Sequence, residues 1–325
     1  MKFAFIIDPL SKLNPSHDTS VALMEAAQAL GHDVWVTQAQ KLTVVNNQAW
    51  ANLEKVQLIP AELVEGRWVV SERWYAISDT ASFPLEDMDV VFMRTDPPVT
   101  IPYLYATYIL DYINPKKTQV INTPTGLRRA NEKMYALQFQ EVIPETIVSQ
   151  DKLTIQKFVE KQGSAVLKPL GGKAGEGILF LEAGDRNFNS LVEVSTKWGY
   201  EPVMVQTYLP AAKAGDKRII LLNGDPMGAV NRIPTGSEFR GNMAVGGRVA
   251  ATEITAQEQK ICALLKPQLQ QDGLYFVGID VIGGYLTEVN VTSPTGIREI
   301  DQLNGTCLGK DVIAWVEQTK LADEL

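Results

Sequence analysis

Short apolar runs and helical patterns alternate through residues 1–125. A helix is predicted over 19–30, with Asp18 as its N-cap and Gly31 just past its end. A second helical pattern covers residues 103–113. Strands separated by helices are typical of a parallel sheet in an α/β layer. The four predicted strands are residues 3–7, 34–36, 88–93 and 119–122.

Two polar residues directly follow predicted strands in this part. Ligands of parallel α/β sheets lie beyond the carboxyl ends of the strands, where Asp8 and Arg94 are expected. Arg94 is a candidate for binding substrate carboxylates, or it forms a structural ion pair with Asp96 or another neighbour. Residues 41–80 are less regular and predict strands and loops.

After residue 126 the pattern indicates antiparallel hairpins and fewer parallel connections. The α/β layer is therefore followed by an α+β region, with no internal repeat or coiled coil. The predicted helices are near 126–139 and 151–162, and the predicted strands are at 144–148, on either side of a glycine-rich turn at 171–177, and near 217–222, 227–232 and 276–291.

Composition and charge exclude several classes of function. The chain has 325 residues, 45% hydrophobic and 21% charged, enough for two or three domains. Its formal net charge is −8, without a basic block, so we expect no nucleic-acid partner. No apolar run approaches roughly 18 residues, and the apolar opening is too short for a signal-peptide core, so no membrane partner is expected either.

Cysteine and histidine are scarce. Cys262 and Cys307 are far apart and lack metal-ligand spacing, which favours a cytoplasmic protein without a disulfide framework. His17 and His32 are the only histidines in the sequence. Zinc sites and Ser-His-Asp chemistry therefore have few residues available.

A glycine-rich turn joins two predicted strands after Lys168-Pro169. Glycines allow backbone N–H groups to approach phosphate oxygens closely, and lysine supplies positive charge. The turn is not a P-loop, because Lys173 is followed by Ala174 instead of Ser or Thr and no helix begins there. An ordinary long hairpin turn is the alternative interpretation. The glycines are Gly171, Gly172, Gly175 and Gly177.

A second hairpin, around Gly283-Gly284, carries three oxygen-bearing side chains: Asp280, Glu288 and Asn290. Such ligands suit Mg²⁺. A two-residue loop would pair Asp280 with Thr287, on the opposite face from Glu288, whereas a three-residue loop would pair Asp280 with Glu288. The metal hypothesis therefore predicts an odd-length connection or a β-bulge. The alternative is a hairpin whose polar face is solvated.

Arginines and a lysine complete the candidate chemistry. Arg218 begins an apolar run, and Arg232 and Arg240 lie in or beside a glycine-rich loop. Guanidinium groups bind carboxylates and phosphates with two parallel hydrogen bonds, and such a loop can close over a reacting centre. Solvated arginines on a mobile hairpin are the alternative. Lys133, on a predicted helix, would be solvated if nothing else were known.

In their order along the chain, these segments resemble the ATP-grasp ligases, and among them the bacterial glutathione synthetases, over nearly the whole chain. Any one of the motifs is common, but the series is specific. The motifs are Asp8-Pro9, MRTDPP at 93–98, YATYIL at 105–110, NEK at 131–133, RIP at 232–234, RGN at 240–242 and TSPTGIRE at 292–299.

The resemblance implies an ATP-grasp fold, α/β and α+β, in three domains. These are an N-terminal parallel α/β substrate-binding domain (1–125), a small central lid (126–205) and a mainly antiparallel C-terminal catalytic domain (206–325), with ATP between the last two. The family carries more glycine around position 174, where this chain has Ala174.

The resemblance also implies site residues. The implied catalytic residues, which hold or cover the reacting acyl phosphate, are Arg218, Arg232 and Arg240. The implied metal ligands are Asp280, Glu288 and Asn290. The implied nucleotide contacts are Lys133, Lys168, Gly171, Gly172, Gly175, Gly177, Gln206, Tyr208, Leu209 and Asp216.

The implied reaction joins γ-glutamylcysteine to glycine, with conversion of ATP to ADP and phosphate. It requires Mg²⁺, or Mn²⁺ in its place, and proceeds through an acyl phosphate in a cytoplasmic homotetramer. Three alternatives stay open from the residues. They are another ATP-grasp ligase, such as one joining two D-alanines or adding glutamate to a protein tail, a non-catalytic ATP-binding module, and a kinase that phosphorylates a hydroxyl.

Overall fold

The computed structural model describes residues 1–173, 175–235, 241 and 247–323. Its first part has a sheet covered by helices α1 (Thr19–Ala29), α2 (Ile101–Leu110) and α3 (Pro124–Arg129). The strands are β1 (Lys2–Ile6), β2 (Asp33–Thr37), β3 (Leu42–Val45), β4 (Gln48–Leu58), β5 (Glu62–Val64), β6 (Arg67–Val69), β7 (Tyr75–Pro84), β8 (Val90–Met93) and β9 (Gln119–Ile121), of which β5 and β6 form a separate hairpin.

The first sheet is parallel at its centre and antiparallel on one side. Its order is β3-β4-β2-β1-β8-β9, with β7 also paired to β4. The neighbours of β1 are both parallel to it, as predicted, whereas β4 runs antiparallel to β2, β3 and β7. The less regular residues 41–80 thus contribute long antiparallel strands to a mixed sheet.

Helix α1 begins and ends where the sequence predicts. The Asp18 side chain accepts a hydrogen bond from the Val21 N–H at 3.0 Å, which satisfies one of the unpaired donors of the first turn. Gly31, just past the last turn, has a φ of +84°, a conformation that glycine adopts without a steric penalty.

The second part is a small antiparallel sheet covered by helices. The sheet order is β10-β13-β11-β12, and α4 and α5 pack on it around a hydrophobic cluster of its own. The elements are β10 (Thr146–Ser149), α4 (Lys152–Gln162), β11 (Ser164–Pro169), β12 (Leu179–Glu182), α5 (Phe188–Ser195) and β13 (Val203–Thr207).

The prediction of a single helix near residues 126–139 is wrong. Helix α3 ends at Arg129, and a 3₁₀ helix covers Met134–Gln138. Asn131 explains the break, because its side-chain oxygen accepts the N–H groups of Lys133 at 3.2 Å and Met134 at 3.0 Å. Asparagine offers the backbone these local bonds in place of helical ones.

The third part is an antiparallel sheet of order β16-β15-β14-β17-β18, with the predicted strands present. Within the described ranges, no helix is both long and apolar enough to cross a membrane. The elements are β14 (Asp216–Leu222), β15 (Asp225–Ile233), β16 (Arg248–Ala251), α6 (Ala256–Gln271), β17 (Phe276–Ile282), β18 (Tyr285–Asn290), α7 (Ile297–Asn304) and α8 (Leu308–Asp323).

The first and third parts share their hydrophobic cores. One buried cluster contains Val91 of β8 together with Ile279 of β17. Another contains Phe5 of β1 together with Val316 of α8, and α8 packs against α1. The two parts are therefore held together by burial of apolar side chains, whereas the cluster of the second part is separate.

Asn122 links the end of β9 to the third sheet. Its buried side-chain amide donates to the carbonyl oxygens of Phe276 (2.9 Å) and Val291 (2.8 Å), and its oxygen accepts the Phe276 N–H at 2.8 Å. Asn122→Ala leaves these groups unpaired, so we expect the free energy of unfolding to fall by about 3 kcal/mol. Urea denaturation measures it, with the exposed Asn304→Ala as control. Equal midpoints for both variants would contradict this role.

Candidate active site

A cleft of about 300 Å³ lies between the second and third sheets. Of the predicted site residues, Gly171 and Gly177 belong to the adjoining turn without lining the cleft, and Arg240 lies outside the described residues. The predicted residues that line it are Lys133, Lys168, Gly172, Gly175, Gln206, Tyr208, Leu209, Asp216, Arg218, Arg232, Asp280, Glu288 and Asn290.

The hairpin of β17 and β18 has a β-bulge, one of the two arrangements that the metal hypothesis predicts. Gly283 and Gly284 form a two-residue turn with φ of +57° and +83°, as a type I′ turn requires. Ile282 pairs with Tyr285, but the register shifts after Asp280, which pairs with Glu288. The bulge brings the side chains of Asp280, Glu288 and Asn290 to one face, and the Asn290 amide nitrogen lies 3.3 Å from Asp280 Oδ2.

This side-chain set fits Mg²⁺ by its chemistry. Two carboxylates and an amide are hard oxygen donors, and Mg²⁺ in such sites completes its coordination with phosphate oxygens and water. In the part of the chain that the structure describes, no group of three or more His, Cys, Asp and Glu side chains could hold a metal by itself. A metal at this cleft would draw on the Asn290 amide oxygen and on water or phosphate oxygens besides the two carboxylates.

Asp280 lies between two arginines. Arg218 contacts both of its carboxylate oxygens, through Nε at 2.5 Å and Nη2 at 3.0 Å, and Arg232 Nη2 lies 2.9 Å from Oδ1. Burial raises the pKa of Asp280, but the two guanidinium charges outweigh burial and hold that pKa well below its usual range. The carboxylate is therefore ionised at neutral pH, which binding of a cation would require.

Arg232 also binds Asp216. Its Nη2 lies 2.6 Å from Asp216 Oδ2. Burial lowers the pKa of Arg232, but Asp216 and Asp280 raise it above its ordinary value. At Asp216, burial raises the pKa above its ordinary value although Arg232 lowers it, and the buried Oδ1 has no partner among the described residues. This oxygen lies at the cleft, where a ligand or water can satisfy it.

Two lysines approach the cleft from different elements. Lys133 Nζ lies 3.0 Å from Glu288 Oε1 and donates to the Gly172 carbonyl oxygen at 2.8 Å. Lys168 Nζ donates to Gln206 Oε1 at 2.8 Å, and burial lowers the Lys168 pKa. Lys133 is thus buried, not solvated, and it bridges the glycine-rich turn and the third sheet.

The glycine-rich turn joins β11 to β12, which pair as the predicted hairpin. Gly175 and Gly177 have φ of +82° and +69°. A Cβ at Gly177 would lie 2.8 Å from Pro169 Cγ, so this position requires glycine. Lys173 Nζ lies 3.6 Å from Asp96, so the turn also reaches the first part of the chain. Ala174 lies outside the described residues.

Sequence reasoning missed the apolar wall of the cleft. Val166, Ile178 and Ile282 line it beside Leu209, and the Tyr208 ring meets the Phe180 ring edge-on at 5.0 Å. Strand alternation could have indicated two of these residues, because Val166 precedes Lys168 by two positions and Ile282 follows Asp280 by two. Such a wall suits a flat aromatic base.

Arg94 is buried at the end of β8 without the ion pair to Asp96. Its Nε donates to Ser20 Oγ (3.1 Å) and its Nη2 to the Pro294 carbonyl oxygen (2.9 Å). Nη1 has no hydrogen-bond partner among the described residues, and the Asp96 carboxylate faces Lys173 instead. Burial lowers the Arg94 pKa to about 10, so the group stays charged at neutral pH. Substrate binding by Arg94 stays a prediction.

Comparison with known proteins places the chain in a family. The model of the prokaryotic glutathione synthetase N-terminal domain matches residues 1–128, and that of the ATP-grasp domain of the same enzymes matches residues 132–305. A glutathione synthetase of Nostoc sp. is 67% identical over 98% of both chains. One from Synechocystis sp. is 68% identical over 98% of this chain and 99% of its own.

Solved structures show the same fold at low sequence identity. The D-cycloserine synthetase DcsG superposes with a TM-score of 0.66 at 14% identity, over 98% of this chain and 99% of its own. The ATP-grasp ligase PsnB, complexed with minimal precursor, Mg and ADP, gives 0.60 at 14% identity over 97% and 98%. The predicted ATP-grasp fold is confirmed, and the chain belongs to the prokaryotic glutathione synthetase family.

Proposed function

We propose that this chain joins the cysteinyl carboxylate of γ-glutamylcysteine to the amine of glycine, with conversion of ATP to ADP and phosphate. Family membership supports this reaction. The observation that carries the chemistry is the convergence, in one cleft, of the carboxylates Asp280 and Glu288 with the cations Lys133, Arg218 and Arg232. Oxygen ligands beside fixed cations are what phosphoryl transfer requires.

The first step activates a poor electrophile. A carboxylate resists attack by an amine because its negative charge is delocalised and its oxygen is a poor leaving group. Transfer of the γ-phosphoryl group to the carboxylate oxygen gives an acyl phosphate and ADP. Lys133 and Lys168 are placed to bind nucleotide phosphates, exchanging their present carbonyl and amide partners for charged oxygens.

Asp280, Glu288 and Asn290 would hold Mg²⁺, which supplies charge neutralisation between the β- and γ-phosphates when bound. Mn²⁺ is proposed as a substitute, because it accepts the same oxygen ligands. Asn290 donates its amide N–H toward Asp280, and its carbonyl oxygen is thereby left to act as the ligand atom.

Arg218 and Arg232 are proposed to stabilise the phosphoryl transfer and then to hold the acyl phosphate for the second step. Their guanidinium groups are fixed by Asp280 and Asp216 before any substrate arrives, so little reorganisation is needed when charge develops on the transferring phosphoryl oxygens. Glycine's neutral amine attacks the acyl carbon, the acyl C–O bond breaks with its electron pair passing to the departing phosphate, and the nitrogen gives one proton to that phosphate or to solvent. Exclusion of water protects the acyl phosphate from hydrolysis. Arg240 is proposed to act from the covering loop.

The alternatives are disfavoured on specific grounds. The match of residues 1–128 to the N-terminal domain of glutathione synthetases disfavours a ligase for D-alanine or for a protein tail. A binding module would not need every reacting charge retained. The test is ADP release with γ-glutamylcysteine alone, glycine alone, both together, and D-alanine as substitute. Release with the first pair only, with glutathione as product, supports the proposal, and turnover with D-alanine would overturn it.

We also propose that the protein is a homotetramer and that it is located in the cytoplasm. Both cysteines are free, as a reducing compartment requires. An exposed stripe at helical spacing runs along α2 and past its end, and Tyr is enriched at protein interfaces. Light scattering gives the mass in solution, and a monomer would contradict the proposal. The stripe is formed by Ile101, Tyr105, Tyr108 and Tyr112.

The domain boundaries at 125 and 205 also stay a proposal. The separate hydrophobic cluster of residues 155–205 supports a lid as a distinct unit. The shared clusters of the first and third parts support treating those two as one rigid base beneath it.

A further inference from the structure

Strand β18, which carries Glu288 and Asn290, lies at the edge of its sheet. Outward-facing N–H groups of an edge strand have no neighbouring strand to accept their hydrogen bonds. Here residues 132–142 take the place of that strand. The Leu286 N–H donates to the Val142 carbonyl oxygen at 2.8 Å, and the Val289 N–H donates to the Glu132 carbonyl oxygen at 2.9 Å.

The Glu132 side chain continues this pairing beyond the end of β18. Its Oε1 accepts the Val291 N–H at 2.8 Å, the Thr292 N–H at 3.0 Å and the Thr292 hydroxyl at 2.8 Å. One residue therefore holds the chain on both sides of Asn290, through its backbone before it and through its carboxylate after it.

The next residue acts on the neighbouring ligand. Lys133 lies 3.0 Å from Glu288 Oε1, so residues 132 and 133 between them restrain the strand backbone and one ligating carboxylate. The strand would otherwise be free to shift at its open edge. Because the β-bulge already perturbs the register next to Asp280, such a shift would separate the three ligands.

We propose that Glu132 is a positioning residue that holds Glu288 and Asn290 in the geometry needed to bind Mg²⁺ together with the nucleotide phosphates. The proposal rests on the proposed function of the cleft as an ATP site. Groups that orient metal ligands without touching the metal typically change metal affinity by about 10- to 100-fold when removed. Glu132 acts through three hydrogen bonds to an oxygen, so an amide oxygen at the same place can substitute for it.

The test is the affinity for ADP, measured by calorimetry with and without Mg²⁺. The dissociation constant without Mg²⁺, divided by the dissociation constant with Mg²⁺, reports how well the metal ligands are assembled. This ratio is measured without any turnover. In Glu132→Ala we expect this ratio to fall by about tenfold or more, with ADP affinity in the absence of Mg²⁺ nearly unchanged. In Glu132→Gln the ratio should stay close to that of the unmodified chain. The exposed Glu141→Ala is the matched control.

Two outcomes would overturn the positioning role of Glu132 while leaving the metal assignment intact. They are an unchanged ratio in Glu132→Ala, or a Glu132→Gln variant that behaves like alanine, which would make charge the relevant property. If Glu132→Ala does not fold, Thr292→Val removes only the hydroxyl donor, and a ratio equal to that of the unmodified chain would again overturn it. A lack of Mg²⁺ dependence in the unmodified chain would overturn the metal assignment itself.

Discussion

Arg232→Ala is expected to lower kcat by about 10³-fold while changing ADP affinity by less than about fivefold. The guanidinium is buried and contacts the carboxylates of both Asp216 and Asp280, so it is held at the cleft, beside the proposed position of the reacting phosphoryl group. Arg218 still neutralises Asp280 in this variant, and the nucleotide site should therefore persist. Steady-state kinetics and calorimetry with ADP separate the two quantities.

The thermal stability of Arg232→Ala must also be measured. Removing one partner of a buried ion pair costs about 3–5 kcal/mol, so the melting temperature is expected to fall. Arg232→Lys keeps the positive charge but lacks the planar guanidinium group. Its kcat should therefore lie between those of the unmodified chain and Arg232→Ala. The exposed Arg248 on β16 provides the control substitution to alanine. Equal losses in kcat and in ADP affinity would indicate a general nucleotide contact instead.

Glu288→Gln is expected to lower kcat by about 10²-fold and to raise the Mg²⁺ concentration needed for half-maximal velocity. Glutamine keeps the shape of the side chain but removes the charge of a proposed metal ligand, and it also removes the charge partner of Lys133 at 3.0 Å. The Glu288 side chain is 21% exposed, so its burial cost is modest and the fold should be retained.

A magnesium titration of the initial rate, with circular dichroism to confirm folding, measures this effect. The exposed Glu62→Gln on β5 is the matched control and should behave like the unmodified chain. Near-normal velocity of Glu288→Gln at saturating Mg²⁺ would contradict the role of this carboxylate as a ligand.

The hairpin of β17 and β18 shows how far sequence reasoning reaches at the site. Alternation along a strand put Glu288 and Asn290 on one face, and convergence with Asp280 required a three-residue loop or a bulge. The structure has a two-residue turn with a bulge at Thr287, whose hydroxyl donates to the Asp280 carbonyl oxygen at 3.2 Å. The sequence pattern does not distinguish a three-residue loop from a two-residue turn with a bulge, because both are compatible with the same two glycines at the turn.

Contacts between distant segments account for what the sequence did not predict. Glu132 was missed because its partners Val291 and Thr292 lie about 160 residues later in the chain. The break after α3 depends on Asn131, whose local hydrogen bonds override a helical pattern. Strand β7, which pairs with β4, is mostly exposed, so its apolar alternation is weak.

The sharing of hydrophobic clusters also has a consequence for how the protein is made. On the ribosome β1 emerges first, but the cluster around its Phe5 is completed by Val312 and Val316 of α8. The N-terminal sheet must therefore wait, with apolar surface exposed, until more than roughly 300 further residues have been synthesised. The hydrophobic cluster of the second part is complete once Val205 has emerged. We expect the middle of the chain to fold before its beginning, which makes the nascent N-terminal sheet the segment most dependent on chaperones.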